Sequence, residues 1–332
     1  MKVCIVGVGA IGGTLGYRLA KAGCELSGLA RGQTLAALQQ KGLRLIAEKS
    51  GVETVGSVSI RASDTPEDLG SQDLVIVAVK APALGALAPR LGPLLKPDTI
   101  ILPAMNGIPW WFFQGFGGGL EGRQLRSVDP DGMLSSALPK ESILGCVVHL
   151  GALCPQPGLV KPLPLKTLIL GEPSGALSPR LENLTDLFTR AGFEIKVSQS
   201  IQNDIWYKLW GNMTMNPVSA LTGATMDRIL GDPLVEEFCR QIMTEAKAVG
   251  EKIGCIIGQS VEDRLAVSRT LGAFKTSMLQ DVEVGRPLEL DTLVGAVAEI
   301  GGMVGVPTPA IDTLFGLTRL KARVAGLYPE EA

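Results

Sequence analysis

The feature that most constrains this sequence is the turn Gly7-Val8-Gly9-Ala10-Ile11-Gly12, which joins a short apolar run to a helical pattern. Residues 2–6 are typical of a buried strand, residues 10–22 of a helix and residues 24–30 of a second strand. This order is the βαβ pattern of a parallel sheet. In that context the first glycine permits a tight turn, the second lets a pyrophosphate approach the backbone, and the third lets helix and strand pack closely. The sequence therefore predicts a dinucleotide-binding domain.

An arginine follows the second predicted strand, where NAD-binding proteins usually place an acidic residue. The strand ends Leu29-Ala30-Arg31. An acid at this position would bind the ribose 2′-hydroxyl, whereas a guanidinium can hold a 2′-phosphate with two hydrogen bonds. The sequence therefore favours NADP (NADPH) over NAD, with a solvated loop arginine as the alternative.

Two further apolar runs, residues 74–79 and 99–104, predict buried strands, and residues 81–95 between them resemble a helix. Lys80 follows the first run, and Asn106-Gly107 follows the second. Ligands of doubly wound sheets bind beyond the carboxyl ends of the strands, so these residues are candidates for cofactor or substrate binding. The alternatives are a surface lysine for Lys80 and a simple turn for Asn106-Gly107.

The length of 332 residues suggests two domains. The pattern is β-rich from residue 142 to residue 172, the last convincing strand is 194–198, and the remainder is helical. We therefore expect an α/β domain with a doubly wound parallel sheet over residues 1–199, and an all-helical C-terminal domain that holds the substrate over residues 200–332.

Composition excludes several classes of protein. The net charge is −2 and no run of Lys and Arg occurs, so we expect no nucleic-acid partner and no anionic membrane surface. No signal peptide and no apolar stretch long enough to span a membrane is evident. The six cysteines form no CxxC pair, which is typical of reduced thiols in a cytoplasmic protein, and we expect no metal site.

The helical half contains a polar pattern in apolar surroundings. Lys208, Asn212 and Asn216 are spaced i, i+4 and i+8 among Trp, Leu and Met residues. On a helix they share one stripe, which indicates either an internal hydrogen-bond network or a site. A lysine ammonium can stabilise the charge that builds on a ketone oxygen during hydride transfer and can donate the proton. His149, the single histidine, lies in the β-rich segment and is interpreted as structural.

A second segment, residues 277–291, suggests a helix end, a glycine-containing turn and a new helix capped near Glu289 or Asp291. Ser277 is a candidate donor to a substrate carboxylate. An ordinary helix cap is an equally good interpretation, and the sequence leaves both open.

These motifs resemble the ketopantoate reductase family (2-dehydropantoate 2-reductase), and the resemblance extends from residue 1 to about residue 325. It implies a Rossmann domain followed by a helical domain like the C-terminal domain of 6-phosphogluconate dehydrogenase. The implied reaction is the NADPH-dependent reduction of 2-dehydropantoate to (R)-pantoate, a step in pantothenate biosynthesis.

The resemblance also implies roles for individual residues. Lys208 would be the general acid. The implied substrate-binding residues are Asn106, Asn212, Asn216 and Ser277. The implied cofactor-binding residues are Gly7, Val8, Gly9, Ala10, Ile11, Gly12, Arg31, Lys80, Asn106, Glu289 and, by a looser match, Ala152.

Two positions depart from the family pattern. Met226 stands where a further substrate asparagine is usual, and Lys161 where a histidine is usual. A related branched 2-keto acid is therefore an alternative substrate. Other interpretations are a two-domain dehydrogenase for sugar phosphates or opines, and a non-catalytic NADPH-binding redox sensor. The sequence leaves a homodimer open.

Overall fold

The computed structural model describes residues 1–330, whose contacts form two compact units. The N-terminal unit contains Met1–Met105, Trp111–Gly122 and Gly132–Ile201; the C-terminal unit contains Asn106–Trp110, Arg123–Asp131 and the residues from Gln202 onwards. The two short segments of the C-terminal unit precede residue 200, so dividing the chain at that residue does not separate the two units. Each segment instead bonds to later helices: Ile108 N–H donates to the Thr292 carbonyl, and Arg126 N–H to the Glu299 carboxylate.

The strands of the described chain belong to the N-terminal unit. They are β1 (Lys2–Val6), β2 (Glu25–Leu29), β3 (Leu43–Lys49), β4 (Val52–Val58), β5 (Arg61–Ser63), β6 (Leu74–Val77), β7 (Ile100–Pro103), β8 (Gly145–Gln156), β9 (Leu159–Gly171) and β10 (Glu194–Val197). One sheet has the order β5-β2-β1-β6-β7, and all its pairings are parallel. Its central strands are buried on both faces, which explains their unbroken apolar sequences. The structure confirms the five strands predicted at residues 2–6, 24–30, 74–79, 99–104 and 194–198, which are β1, β2, β6, β7 and β10.

A second sheet has the order β10-β9-β3-β4, and β8 pairs antiparallel with β9. The β8–β9 hairpin turns at Gly158, where φ is +69°, a conformation that glycine adopts without strain. This hairpin confirms the β-rich character predicted for residues 142–172. Strands β3 and β4 were not predicted, because polar residues interrupt their alternation.

Helices flank the strands along the chain. Those of the N-terminal unit are α1 (Ala10–Lys21), α2 (Gly32–Lys41), α3 (Ala81–Leu87), α4 (Met133–Ala137) and α5 (Pro179–Arg190). The prediction of a helix over residues 81–95 is wrong beyond Leu87, where two 3₁₀ turns follow α3. Pro89 and Pro93 cannot donate the backbone hydrogen bonds that a continuing α-helix needs.

The C-terminal unit consists of helices and loops in the part that the structure describes, as predicted. Its helices are α6 (Ile201–Thr222, whose first residue groups with the N-terminal unit), α7 (Met226–Ile229), α8 (Pro233–Ile253), α9 (Val261–Arg269), α10 (Ser277–Glu283), α11 (Ala296–Val304) and α12 (Pro309–Val324). A single π-helical turn, Asp291–Gly295, leads into α11. Within residues 1–330, no helix is long and apolar enough to cross a membrane.

Most residues of helix α6 are buried. The indoles of Trp206 and Trp210 are buried, and each donates to a carbonyl oxygen of α8, those of Ala246 at 3.2 Å and Met243 at 2.7 Å. Buried indole N–H groups need such acceptors, and the two bonds fix the rotation of α6.

Candidate active site

The glycine-rich turn has the geometry that its sequence predicts. Gly7 has φ +94°, and a Cβ there would approach Val79 Cγ1 to 2.6 Å. A Cβ on Gly12 would lie 2.2 Å from the Gly7 carbonyl oxygen. Gly9 differs, because a Cβ there would meet no atom within 4 Å. The first and third glycines are therefore required by packing, whereas the second borders open space.

Helix α1 begins at this open space. Its N-cap is Gly9, which has no side chain to bond the first-turn N–H groups, and the first turn carries no acidic residue. Backbone N–H groups and the helix dipole attract anions at such an end. The space and the uncapped helix start together fit the pyrophosphate of a dinucleotide.

The parallel sheet brings Gly7, Arg31 and Lys80 to one edge. They follow β1, β2 and β6, which are adjacent in the sheet, and the Gly7 N–H donates to the Leu29 carbonyl oxygen at 3.1 Å. Arg31 is exposed and is the N-cap residue of α2. Lys80 is half-buried and is the N-cap residue of α3. A dinucleotide on the glycine-rich turn would therefore have two cations on neighbouring connections.

The remaining candidates of the N-terminal unit lie in the β8–β9 hairpin. Ala152 pairs with Pro162 next to an irregularity in the strand register. His149 pairs with Thr167 in the same hairpin and is half-buried. Lys161 forms an ion pair of 2.5 Å with Glu53, and this hydrogen bond raises the pKa of the lysine. Lys161 is therefore already engaged with a residue of β4, which lies beyond β3 in the same sheet.

In the C-terminal unit, the structure brings Lys208 and Asn106 together. The Nζ of Lys208 donates to the Oδ1 of Asn106 at 2.8 Å, across 102 positions of sequence. Lys208 is half-buried, and its neighbours along α6 are largely buried apolar residues. The amide oxygen stabilises and orients the ammonium group.

The turn that carries Asn106 is held by backbone contacts. Gly107 has φ +83° and lies directly against Thr292, and the N–H of Ile108 donates to the Thr292 carbonyl oxygen at 2.8 Å. Thr292 belongs to the π-helical turn. The position of the Asn106 amide therefore depends on a residue that is 186 positions further along the chain. Thr292 was missed in the sequence analysis, because a glycine after Asn106 indicates a turn but not the surface against which it packs.

The predicted polar stripe lies on one continuous helix, since α6 includes Lys208, Asn212 and Asn216. Asn212 is half-buried, and Asn216 is 6% exposed. The amide nitrogen of Asn216 lies 3.4 Å from the hydroxyl oxygen of Ser277, the first residue of α10. Three of the four predicted substrate residues thus have a hydrogen bond to another predicted site residue.

The neighbouring residue decides whether Ser277 is a helix cap or a candidate substrate donor. Thr276 is the N-cap of α10, and its hydroxyl oxygen accepts from the N–H of Leu279 at 3.2 Å. Ser277 is exposed and is already the first residue of α10, so its hydroxyl is not the N-cap. Ser277 is therefore available to a ligand.

Glu289 and Met226 occupy contrasting environments. Glu289 is half-buried in the loop before the π-helical turn, and its carbonyl oxygen accepts from the Thr292 hydroxyl at 3.4 Å. Met226 begins α7 and is buried, with its N–H donating to the Phe274 carbonyl oxygen. The position of the additional family asparagine is thus filled by an apolar side chain.

The chemistry available in the C-terminal unit is acid–base and polar binding. Lys208 can hold and release a proton at Nζ, and Asn106, Asn212 and Asn216 provide amides. Among residues 1–330, no group of three His, Cys, Asp or Glu side chains is placed to hold a metal ion.

Comparisons with known proteins identify the family of the chain. The family model described as ketopantoate reductase PanE/ApbA matches residues 3–110, and its C-terminal model matches residues 200–322. A 2-dehydropantoate 2-reductase of Mesorhizobium japonicum is 43% identical over 329 residues, covering 99% of this chain and 100% of the relative.

Two solved structures have the same fold. One, from Ralstonia solanacearum MolK2 and assigned as a ketopantoate reductase, has a TM-score of 0.93 and 56% identity, covering 98% of this chain and 99% of the other. A PanE/ApbA family ketopantoate reductase from Ralstonia eutropha JMP134 has a TM-score of 0.82 and 27% identity, covering 98% and 100%. From its motifs, its fold and these relatives, the chain belongs to the ketopantoate reductase family.

Proposed function

We propose that this chain catalyses the NADPH-dependent reduction of 2-dehydropantoate, or of a closely related branched 2-keto acid, to (R)-pantoate or the corresponding 2-hydroxy acid. The observation that carries the proposal is the 2.8 Å hydrogen bond from the Nζ of Lys208 to the Oδ1 of Asn106. It joins a lysine ammonium on a largely buried helix to the amide of Asn106, which lies on a turn, and family membership supplies the class of reaction.

Lys208 is proposed as the general acid. Bound NADPH supplies the hydride for the carbonyl carbon. The Nζ of Lys208 stabilises the negative charge that grows on the carbonyl oxygen and then gives that oxygen a proton. Asn106 orients Nζ through its amide oxygen, which leaves its amide nitrogen as a donor to substrate or cofactor.

Substrate binding is assigned to the remaining polar groups of the C-terminal unit. The amides of Asn212 and Asn216 and the hydroxyl of Ser277 can donate to the carboxylate and hydroxyl oxygens of a 2-keto acid. Glu289 is assigned to the nicotinamide ribose, since a carboxylate accepts from ribose hydroxyls.

Cofactor binding is assigned to the N-terminal unit. The turn Gly7–Gly12 would hold the pyrophosphate, Lys80 and Ala152 would lie along the cofactor, and Arg31 would bind the 2′-phosphate. The preference for NADP over NAD is supported by the arginine at the position where an acid would select NAD.

The experiment that tests the proposal is NADPH oxidation at 340 nm with a panel of 2-keto acids that includes 2-dehydropantoate. We expect turnover, with Lys208→Ala lowering kcat about 100- to 10,000-fold. Lys247→Ala is the matched control, because Lys247 is also a half-buried lysine of the C-terminal unit and its Nζ donates to the Gln259 carbonyl oxygen. Retained turnover in Lys208→Ala would exclude the assigned acid.

A shifted substrate is the second candidate, and Met226 is the observation that favours it. Its buried side chain replaces an amide that the family usually offers to substrate. Turnover of another branched 2-keto acid in preference to 2-dehydropantoate would support this candidate. NADPH binding without turnover of any 2-keto acid would instead support a redox sensor.

A cytoplasmic location and a homodimer complete the proposal. Cell fractionation would test the first. Light scattering on the purified protein would test the second.

A further inference from the structure

The segment Gly326–Pro329 folds back onto the loop that carries Glu289. Gly326 has φ +67° and reverses the chain after α12. The N–H of Leu288 then donates to the Leu327 carbonyl oxygen at 3.0 Å, and the hydroxyl of Tyr328 donates to the Oδ1 of Asp291 at 2.5 Å. Glu289 therefore lies between two residues that this segment anchors, Leu288 and Asp291.

The Tyr328–Asp291 hydrogen bond joins two half-buried residues. Burial raises the pKa of Asp291, while the tyrosine and the nearby Arg319 and Arg323 oppose that shift. Burial and the bond to Asp291 raise the pKa of Tyr328, so the phenol keeps its proton and remains the donor. The guanidinium of Arg323 also lies 5.6 Å from the centre of the Tyr328 ring. These contacts fix the phenol against the first residue of the π-helical turn.

The π-helical turn also contacts the residues that follow Asn106. Thr292, next to Asp291, accepts from the Ile108 N–H at 2.8 Å and packs against Gly107. Asn106, next to Gly107, accepts from Lys208. A continuous series of contacts therefore leads from Tyr328 through the π-helical turn to the ammonium of Lys208. Single π turns occur frequently at functional sites.

We infer that Tyr328 and Asp291 are positioning residues, which fix the π-helical turn and through it the Asn106 amide that orients Lys208. The inference rests on the proposed function for the role of Lys208. Neither residue needs to touch substrate. They contribute by keeping the Asn106 amide within hydrogen-bonding distance of the Lys208 ammonium. Small displacements of catalytic groups have large effects on rate.

Kinetics provide the first test. Tyr328→Phe keeps the ring but removes the donor, so we expect kcat to fall about 10-fold while KM for the keto acid changes about twofold or less. Asp291→Asn keeps an acceptor oxygen and should retain most activity, whereas Asp291→Leu should behave like Tyr328→Phe. Unchanged kcat in both Tyr328→Phe and Asp291→Leu would overturn the inference.

Chemical labelling provides a test that does not need turnover. The acetylation rate of Lys208 by acetic anhydride, followed by mass spectrometry of peptides, reports how firmly its Nζ is held. We expect faster labelling in Tyr328→Phe, in the same direction as in Asn106→Ala, with exposed Lys252 in the same digest unchanged.

Tyr207→Phe is the matched control for labelling. It removes a phenol that donates to Gln259 at 2.8 Å, on α6 itself but outside this series of contacts, and it should label Lys208 like the wild type. An equal increase in Tyr207→Phe, or no increase in Tyr328→Phe, would overturn the inference. If the wild type reduced no 2-keto acid, the proposed function would fail, but labelling would still decide whether Tyr328 positions Lys208.

Discussion

Gly107 lies so close to Thr292 that a Cβ at position 107 would approach the Thr292 carbonyl oxygen to 2.6 Å. The neighbouring atom is backbone, and the φ of +83° is unfavourable for any other residue. We therefore expect Gly107→Ala to lower the free energy of unfolding by about 2–4 kcal/mol, and to lower kcat because Asn106 moves. Chemical denaturation and NADPH oxidation measure the two effects.

Gly302→Ala is the control for that variant. Gly302 lies in α11, and a Cβ there would meet nothing within 4 Å. The replacement should stabilise the helix by about 0.5–1 kcal/mol. Equal stability of Gly107→Ala and the wild type would contradict the described packing.

Replacement of Gly9 and of Gly12 in the glycine-rich turn should affect different properties, cofactor affinity for the first and stability for the second. Gly9→Ala adds a methyl group to open space, so the melting temperature should hold while the Kd for NADPH rises about 10-fold or more, because the pyrophosphate loses its close approach. Gly12→Ala should lower the melting temperature, since its Cβ would lie 2.2 Å from the Gly7 carbonyl oxygen. Calorimetry and fluorescence titration separate the outcomes. Unaltered NADPH affinity in Gly9→Ala would argue against pyrophosphate binding at this turn.

Arg31→Ala should reduce discrimination between the two nicotinamide cofactors. We expect KM for NADPH to rise about 10- to 100-fold, as for the loss of a bidentate charged contact, with KM for NADH nearly unchanged. Arg190→Ala, which removes an exposed arginine at the end of α5, is the control and should change neither value. A parallel rise for both cofactors in Arg31→Ala would show that Arg31 does not recognise the 2′-phosphate.

The adjacent hydroxyl residues Thr276 and Ser277 should have separable functions. Ser277→Ala should raise KM for the keto acid about 10-fold with little change in stability, because it removes one donor to a charged group. Thr276→Ala should instead lower stability by about 1 kcal/mol through loss of the α10 cap. If Ser277→Ala left KM unchanged, Ser277 would have no part in substrate binding.

Acid should destabilise the N-terminal unit through Glu172. Burial raises the pKa of this carboxyl, but hydrogen bonds from Arg180 and Ser178 outweigh burial and lower it below the ordinary value of 4.5. A carboxylate with a lowered pKa stabilises the folded state above the unfolded pKa, and this contribution is lost as the pH falls through the folded pKa.

We therefore expect the melting temperature to fall steeply below about pH 4.5, and less steeply in Glu172→Gln. At pH 7 the same variant should be less stable by about 2 kcal/mol, as for loss of hydrogen bonds to a charged group. Identical pH dependence in the two proteins would show that Glu172 does not control the acid transition.

The sequence was most informative where function and local structure use the same residues. The glycine spacing predicted the β1–α1 turn, and the i, i+4, i+8 spacing predicted a stripe on one helix, because both patterns are set within a few residues. The bond between Lys208 and Asn106 was not predictable, since it spans 102 positions. The π-helical turn was also missed, because the sequence 289–295 has an ordinary helix-start pattern and the extra residue per turn is imposed by contacts from distant segments.

The two buried indoles that bind α6 to α8 have a consequence for the stretch of helix between them. Trp206 and Trp210 stand two residues before and two residues after Lys208, and each donates to a carbonyl oxygen of α8. A rotation of this stretch would break both buried hydrogen bonds, so the backbone that carries Lys208 is fixed on both sides. Evolution of a new substrate preference is therefore expected to replace side chains around Lys208 and to leave the backbone of this stretch in place.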